Sequence, residues 1–262
     1  MLPFTLKSPA KVNLTLDVLG RDPSGYHRIQ TIFAEVPSLA DELIFEKSKE
    51  PGITIQCDKK EVPIGSENLI MSAIEALLAH VKKDAENFQG FTIKLIKNIP
   101  PGGGLGGASS NAATTLKALN KLWDLQLSTK ELLEIAAQIG MDVPFFIHGG
   151  LALGSHYGEQ ITPLPVLKNF TIEIIQTHIP VLTKDAYEFL DLNECGKRTS
   201  DTEILLEILK NKSSPLDSKI LNSLLHNDFE SQFFTQNPEI KKQYPNAHLS
   251  GSGGCLFEIK GN

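Results

Sequence analysis

The chain has 262 residues, 41% hydrophobic and 21% charged, an ordinary balance for a globular protein able to bury one large core or two smaller ones. With 31 acidic and 25 basic residues its net charge is −6, which excludes a general nucleic-acid-binding surface, because that requires a basic excess. Cys57, Cys195 and Cys255 are too few and too scattered for a disulfide framework or a Cys-x-x-Cys site, and are expected as reduced thiols.

The opening MLPFTLKSPAKVNLTL is interrupted by Lys7 and Lys11, so it does not read as a signal peptide. No window is apolar for long enough to span a bilayer, and a soluble, cytoplasmic protein is expected. In 11–20, Val12, Leu14, Leu16 and Val18 alternate with polar residues, the period of a half-buried strand. Gly20 to Gly25 is a turn cluster, after which Ile29 to Val36, 42–48 and 52–57 read as three further strands. Ser66-Glu67-Asn68 offers a cap for a helix over 69–83, and 91–99 alternates as a strand. Ser128 and Glu131 form a capping-box pair for the helix ending at Gly140, and 142–159 reads as loop and strand. Past Pro163-Leu164-Pro165 the pattern restarts with a strand at 170–177, helices near 184–192, 201–211 and 216–225, and a strand at 255–260. The proline-flanked stretch 160–168 is the expected domain boundary.

Between the strand at 91–99 and the next helix lies PPGGGLGGASSNAA, with five glycines in six residues. A strand, a glycine-rich turn and a helix N-terminus together suit a phosphate: successive N–H groups converge on the anion, and glycine lets the backbone approach it. No Gly-Lys-Ser/Thr occurs, so the loop is not a P-loop. Gly102, Gly104 and Gly107 match a dinucleotide fingerprint literally, and Asp124 lies at a suitable distance. But Pro100-Pro101 interrupts the entry to the turn, and no second strand fits before Asp124. A structural turn capped by Ser109 or Ser110 is the plainer alternative.

This loop resembles the central motif of the GHMP small-molecule kinases. Four further blocks, 9-PAKVNLTLDVLGRDPSGYHRIQTIF-33, 140-GMDVPFFIHGG-150, 226-HNDFE-230 and 249-LSGSGGCLF-257, follow in that family's order. They resemble the branch whose acceptor is a cytidine-diphosphate ester of 2-C-methyl-D-erythritol, in the non-mevalonate isoprenoid pathway. The resemblance implies an α+β, two-domain fold. Residues 1–160 would form an ATP-binding domain of ribosomal-protein-S5-like architecture, and 161–262 a ferredoxin-like α+β substrate domain. It implies phosphorylation of the acceptor's 2-hydroxyl by ATP with Mg²⁺, whose protein ligands stay open between Ser109 and Ser110.

The resemblance assigns ATP phosphates to Pro100, Pro101, Gly102, Gly103, Gly104, Leu105, Gly106, Gly107, Ala108, Ser109 and Ser110. It makes Asp142 the general base; taken alone, Asp beside Gly is more often a turn residue. Lys11 would be its partner, an ammonium that stabilises the developing alkoxide, although a single lysine commonly just snorkels to solvent. Asn13 shares the strand face of Lys11 and would position the substrate. Tyr26 and His27 offer a stacking ring and hydrogen-bonding nitrogens to a cytosine, with Phe33, Tyr187 and Thr183 as further substrate contacts. The seven histidines show no metal-ligand spacing. Two segments depart from the family's pattern, Asp22-Pro23-Ser24 before Gly-Tyr-His and the bulky Gly154–Glu159 loop. Competing readings are a sibling kinase for mevalonate, homoserine or a sugar, which has no need of Tyr26-His27, and a nucleotide-binding homologue without activity. The partner is a small molecule, with no nucleic acid or membrane, and the chain is expected as a monomer or homodimer.

Overall fold

Alternation sets where strands occur, but burial of both faces sets how long they run. The computed structural model describes residues 3–167, 169–211 and 217–261. Strand β1 (Phe4–Arg21) begins at Phe4 rather than Lys11, and every residue from Ala10 to Val18 is buried. Lys11, Asn13, Thr15 and Asp17 are therefore interior residues, not the solvent face of a half-buried strand. The segments expected as two strands at 29–36 and 42–48 form one 21-residue strand, β2 (His27–Lys47).

The chain divides into two compact units. The first takes the chain up to Ala10, Pro37–Ile99 and Gly106–His148. It contains β3 (Ile53–Cys57), α1 (Leu69–Val81), β4 (Phe91–Ile96), α2 (Gly107–Leu122), α3 (Thr129–Ile139) and α4 (Val143–His148). The later half of β2 runs antiparallel to β4, Glu42 opposite Ile96 and Lys47 opposite Phe91, and β3 lies parallel to the other edge of β4. Leu43, Phe45, Ile93 and Leu95 are buried from the strands, and Ile70, Leu77, Leu116 and Leu119 from the helices. The caps form as the sequence indicates. Asn68 Oδ1 accepts from Ile70 N at 2.9 Å, and Glu131 Oε2 accepts from Ser128 N at 2.8 Å while Ser128 Oγ accepts from Glu131 N. Helix α4 replaces an expected loop. Its sequence, VPFFIH, is buried from Val143 to Ile147 and so carries no polar period to announce a helix.

The second unit takes Lys11–Val36, Pro100–Leu105 and the chain from Gly149 onward, so the stretch 160–168 lies within it and not between the units. Here β5 (Leu151–Ser155) pairs antiparallel with the early half of β2, Thr31 opposite Gly154, and β6 (Gln160–Pro163) pairs with β5. A three-stranded sheet follows in the order β7 (Phe170–Gln176), β10 (Cys255–Gly261), β9 (His248–Leu249). Helices α5 (Thr183–Glu188), α6 (Thr199–Lys210), α7 (Ser218–Leu224), α8 (Glu230–Gln236) and α9 (Pro238–Gln243) complete it; β6, β9, α8 and α9 are not foreseen by the patterning. Strand β8 (His226–Asn227), also unforeseen, is parallel to β1 at Thr15 and Leu16. Leu16, Val18, Phe229, Phe233, Leu249 and Leu256 share one apolar core. Residue 216, where the last expected helix begins, and residue 168 lie outside the described residues, as do Met1 and Leu2. Among the described residues no helix is long and apolar enough to cross a membrane.

Candidate active site

In the first unit, α2 begins without a side-chain cap. Its N-cap is Gly106, left-handed at φ 69°, and its first turn holds no acidic residue. The first intrahelical bond runs from Ser110 N to Gly106 O at 2.8 Å, so the N–H groups of Gly107, Ala108 and Ser109 precede it. An uncapped, electropositive helix start is the local structure that an anion completes. The two serines now differ: Ser110 is fully buried and accepts a hydrogen bond from Ser8 Oγ at 2.7 Å, while Ser109 is half-buried. Asp142 stands half-buried in the turn between α3 and α4. Among the described residues no group of three or more His, Cys, Asp or Glu is placed to hold a metal ion.

In the second unit, the earlier glycines serve the protein's own chain. Gly104 is left-handed at φ 72°, and a Cβ there would collide with the carbonyl oxygen of Ser250. Ser250 Oγ donates to Gly104 O at 3.0 Å, and Cys255 N donates to Gly103 O at 3.2 Å. The glycine run thus has a structural reason beside the expected room for phosphate: Gly103 and Gly104 let the loop lie directly on the segment Ser250–Cys255. The three cysteines are free thiols, and burial pushes Cys255 up to about 11 and, with Asp228, Cys195 up to about 12.

Lys11 is only 3% exposed, which rules out the snorkelling alternative. Its Nζ donates to Asn13 Oδ1 at 2.7 Å, and Asn13 Nδ2 donates to Thr31 Oγ1 at 2.7 Å. The shared face expected of Lys11 and Asn13 is therefore realised as a hydrogen bond. Phe33, expected as an aromatic surface for substrate, is 1% exposed and lies under the Lys11 ammonium at 5.4 Å. Its position between β1 and β5 buries the ring, so it supports Lys11 instead of offering an open face. Gly251 approaches Lys11 closely: a Cβ there would lie 3.2 Å from Nζ.

From Gly251 the second unit continues toward the other expected substrate residues. Ser252 Oγ and Thr183 Oγ1 are 3.1 Å apart, and Tyr187, one turn along α5 from Thr183, stacks on His27 at 4.7 Å. Successive pairwise contacts thus connect Lys11 and Asn13, through Gly251 and Ser252, to Thr183, Tyr187 and His27. Burial, and then the neighbouring Arg21 charge, lower the His27 pKa, so its imidazole is neutral at physiological pH. Tyr26 is 55% exposed, with its ring 5.3 Å from that of Tyr157.

The two segments that depart from the family's pattern touch each other. Tyr157 Oη donates to Asp22 Oδ2, and Asp22 also accepts from Ser24 N at 2.8 Å. The Ser24 and Tyr157 hydrogen bonds hold the Asp22 carboxyl down at about 2. Two buried carboxylates, Asp41 and Asp17, also escape sequence reasoning, because each acts through partners distant in the chain. Asp41 is clamped to Lys97 and Asn111, and Asp17 to His226 and Thr202.

Residues 68–150 match the family described as GHMP kinases N terminal domain. A 4-diphosphocytidyl-2-C-methyl-D-erythritol kinase of Acetivibrio thermocellus is 34% identical over 99% of this chain and 90% of its own length. A protein of the same name from Caldanaerobacter subterraneus subsp. tengcongensis is 38% identical over 98% and 88%. A crystal structure of 4-(cytidine 5'-diphospho)-2C-methyl-D-erythritol kinase superposes with a TM-score of 0.75 at 31% identity, covering 97% of this chain and 89% of that one. A homoserine kinase from Cytophaga hutchinsonii shares the fold, with a TM-score of 0.72 at 22% identity over 98% and 86%.

Proposed function

The chain belongs to the 4-diphosphocytidyl-2-C-methyl-D-erythritol kinase family, and from that premise we propose how its residues divide the reaction. It is a phosphotransferase with an alcohol acceptor, moving the γ-phosphoryl group of ATP to the 2-hydroxyl of 4-diphosphocytidyl-2-C-methyl-D-erythritol and releasing ADP, in the non-mevalonate isoprenoid pathway. Phosphoryl transfer asks the protein to hold phosphates, stabilise charge and take one proton.

On this reading Asp142 takes the proton of the 2-hydroxyl as its oxygen forms the bond to phosphorus and the bridging bond to ADP breaks. The Lys11 ammonium, set toward its partners by Asn13 and Phe33, stabilises the oxygen as it becomes anionic. The resemblance carries the pairing of these two residues. The stretch Pro100–Ser110 serves the phosphates through backbone N–H groups, which the uncapped start of α2 supports. Mg²⁺ fits as a cation brought by phosphate oxygens, needing few protein ligands, and the half-buried Ser109 suits that contact better than the engaged Ser110. Tyr26 receives the cytosine face and neutral His27, braced by Tyr187, its polar edge. Thr183 and Tyr187 of α5 add contacts for the acceptor; the setting is a cytoplasmic one, without a nucleic-acid or membrane partner.

The observation that carries this reading is the connected path from buried Lys11 through Gly251, Ser252 and Thr183 to Tyr187 and His27, where the sequence placed the acceptor. ADP release with the cytidine substrate tests it in wild type and Asp142→Asn. The variant is expected to lose about 10²–10⁴-fold in kcat with little change in the KM for ATP. A variant as fast as wild type would remove Asp142 from the role of base.

A further inference from the structure

The carboxylate of Asp41 is fully buried and is met by four donors. Oδ1 accepts from Asn98 N and Ile99 N, each at 2.7 Å, and Oδ2 accepts from Asn111 Nδ2 at 3.0 Å. Lys97 Nζ, whose side chain is 8% exposed, lies 2.9 Å from Oδ2 and also donates to Ile99 O. Asn98 and Ile99 immediately precede Pro100, and Asn111 immediately follows Ser110. One carboxylate therefore holds both the entry to the glycine stretch and the first turn of the helix leaving it.

Two further features show that the hold is directional. Gly107, the first residue of α2, packs against the clamped entry segment, and a Cβ there would stand 3.0 Å from both Ile99 Cγ2 and Lys97 Nζ. Among the described residues Asn111 Oδ1 is buried without a hydrogen-bond partner. Its amide thus gives up one polar atom so that the other can face Asp41, since turning the amide would set oxygen against carboxylate. A glycine run has no stiffness of its own, so its geometry depends on what holds its ends as well as on the contacts made by Gly103 and Gly104.

We propose that Asp41 is the positioning residue of the nucleotide loop: through Asn98, Ile99 and Asn111 it sets the spacing of the loop's two ends for polyphosphate, and Asn111 is its specific contact on α2. The proposal rests on the kinase reading, in which this loop serves ATP. Asp41 touches no reacting atom and acts only through these partners.

The test centres on Asn111→Ala, which removes one donor and leaves the Asp41–Lys97 pair intact, with Asn111→Asp, which faces the carboxylate with a second one. Isothermal titration with ADP and with AMP reads the role of the loop, alongside steady-state KM values for ATP and the acceptor. For Asn111→Ala the Kd for ADP and the KM for ATP are expected to rise about tenfold, the worth of one charge-assisted hydrogen bond, while AMP binding and the acceptor KM stay unchanged. Asn111→Asp is expected to lose more on the same two quantities. If ADP and AMP weaken equally, or neither weakens, Asp41 is a fold residue only and the proposal is wrong. Wild type that binds ADP but does not phosphorylate the acceptor would contradict the kinase reading and leave the ADP-to-AMP comparison to judge the clamp.

Discussion

Among the described residues each unit buries one carboxylate completely, and the two are matched to different cations. Asp41, in the first, faces Lys97, whereas Asp17, in the second, lies 2.9 Å from His226 Nε2 and accepts from Thr202 Oγ1 at 2.6 Å. Histidine can release its proton. His226 Nδ1 faces Leu224 O at 3.0 Å as Nε2 faces Asp17, so both nitrogens must carry hydrogen and the ring is an imidazolium. Burial pushes its pKa down, but the Asp17 and Leu224 hydrogen bonds outweigh burial and raise it above the usual histidine value. The lesson is that two equally buried carboxylates are answered differently, one by a lysine ammonium and the other by an imidazolium whose raised pKa makes its support pH-dependent.

Asp41→Asn should break the comparison most severely. It leaves the Lys97 ammonium buried without a counter-charge, and urea unfolding at neutral pH should show a loss of about 3–5 kcal/mol. Asp17→Asn should cost less, about 1–3 kcal/mol, because His226 can shed its proton and keep a hydrogen bond to the new amide. Equal losses would mean that the identity of the cation does not matter. Gly104→Ala should fall in the same lower range, about 1–3 kcal/mol, from a left-handed alanine pressed against Ser250.

The pH profile sharpens the contrast. A raised folded-state pKa for His226 means its contribution is complete below the ordinary histidine value, about pH 6.5, and is lost as pH rises through the raised one. Asp228, whose carboxyl burial raises, and His27, whose pKa burial lowers, act on the acid side instead. Between about pH 6.5 and 8 the Tm of wild type should therefore fall, and Asp17→Asn should flatten that slope. A slope unchanged by the substitution would place the titrating group elsewhere. Tyr157→Phe should produce the smallest effect, raising the acceptor KM about two- to threefold with the ATP KM unchanged, because its bond to Asp22 is only partly buried.

The features legible in the sequence were those written locally. Asn68 and the Ser128–Glu131 pair announce helix starts through residues two or three positions apart, and Lys11 with Asn13 share a strand face by simple alternation. The glycine loop suggests a phosphate site, a reading still to be tested, and gives no sign that Gly103 and Gly104 make room for Ser250 and Cys255, about 150 residues away along the chain. Asp17 and His226 are joined over a separation of 209 residues, and nothing near either one signals the bond. Helix α4 and the unbroken run of β2 through Pro37–Asp41 were hidden for a different reason. The first is too uniformly apolar to show a period, and the second lacks the alternating pattern where it crosses from one unit to the other. Phe33 shows the opposite limit: the motif presents an aromatic residue, but gives no sign that its ring is buried beneath the Lys11 ammonium.

The most direct test of the account is an acceptor panel with ATP, following ADP release and product phosphorus by ³¹P NMR. The account predicts phosphorylation of 4-diphosphocytidyl-2-C-methyl-D-erythritol at its 2-hydroxyl, with mevalonate and homoserine left unreacted. Turnover of either of those acceptors in preference to the cytidine compound would contradict it, and would return Tyr26 and His27 to the role of ordinary surface aromatics.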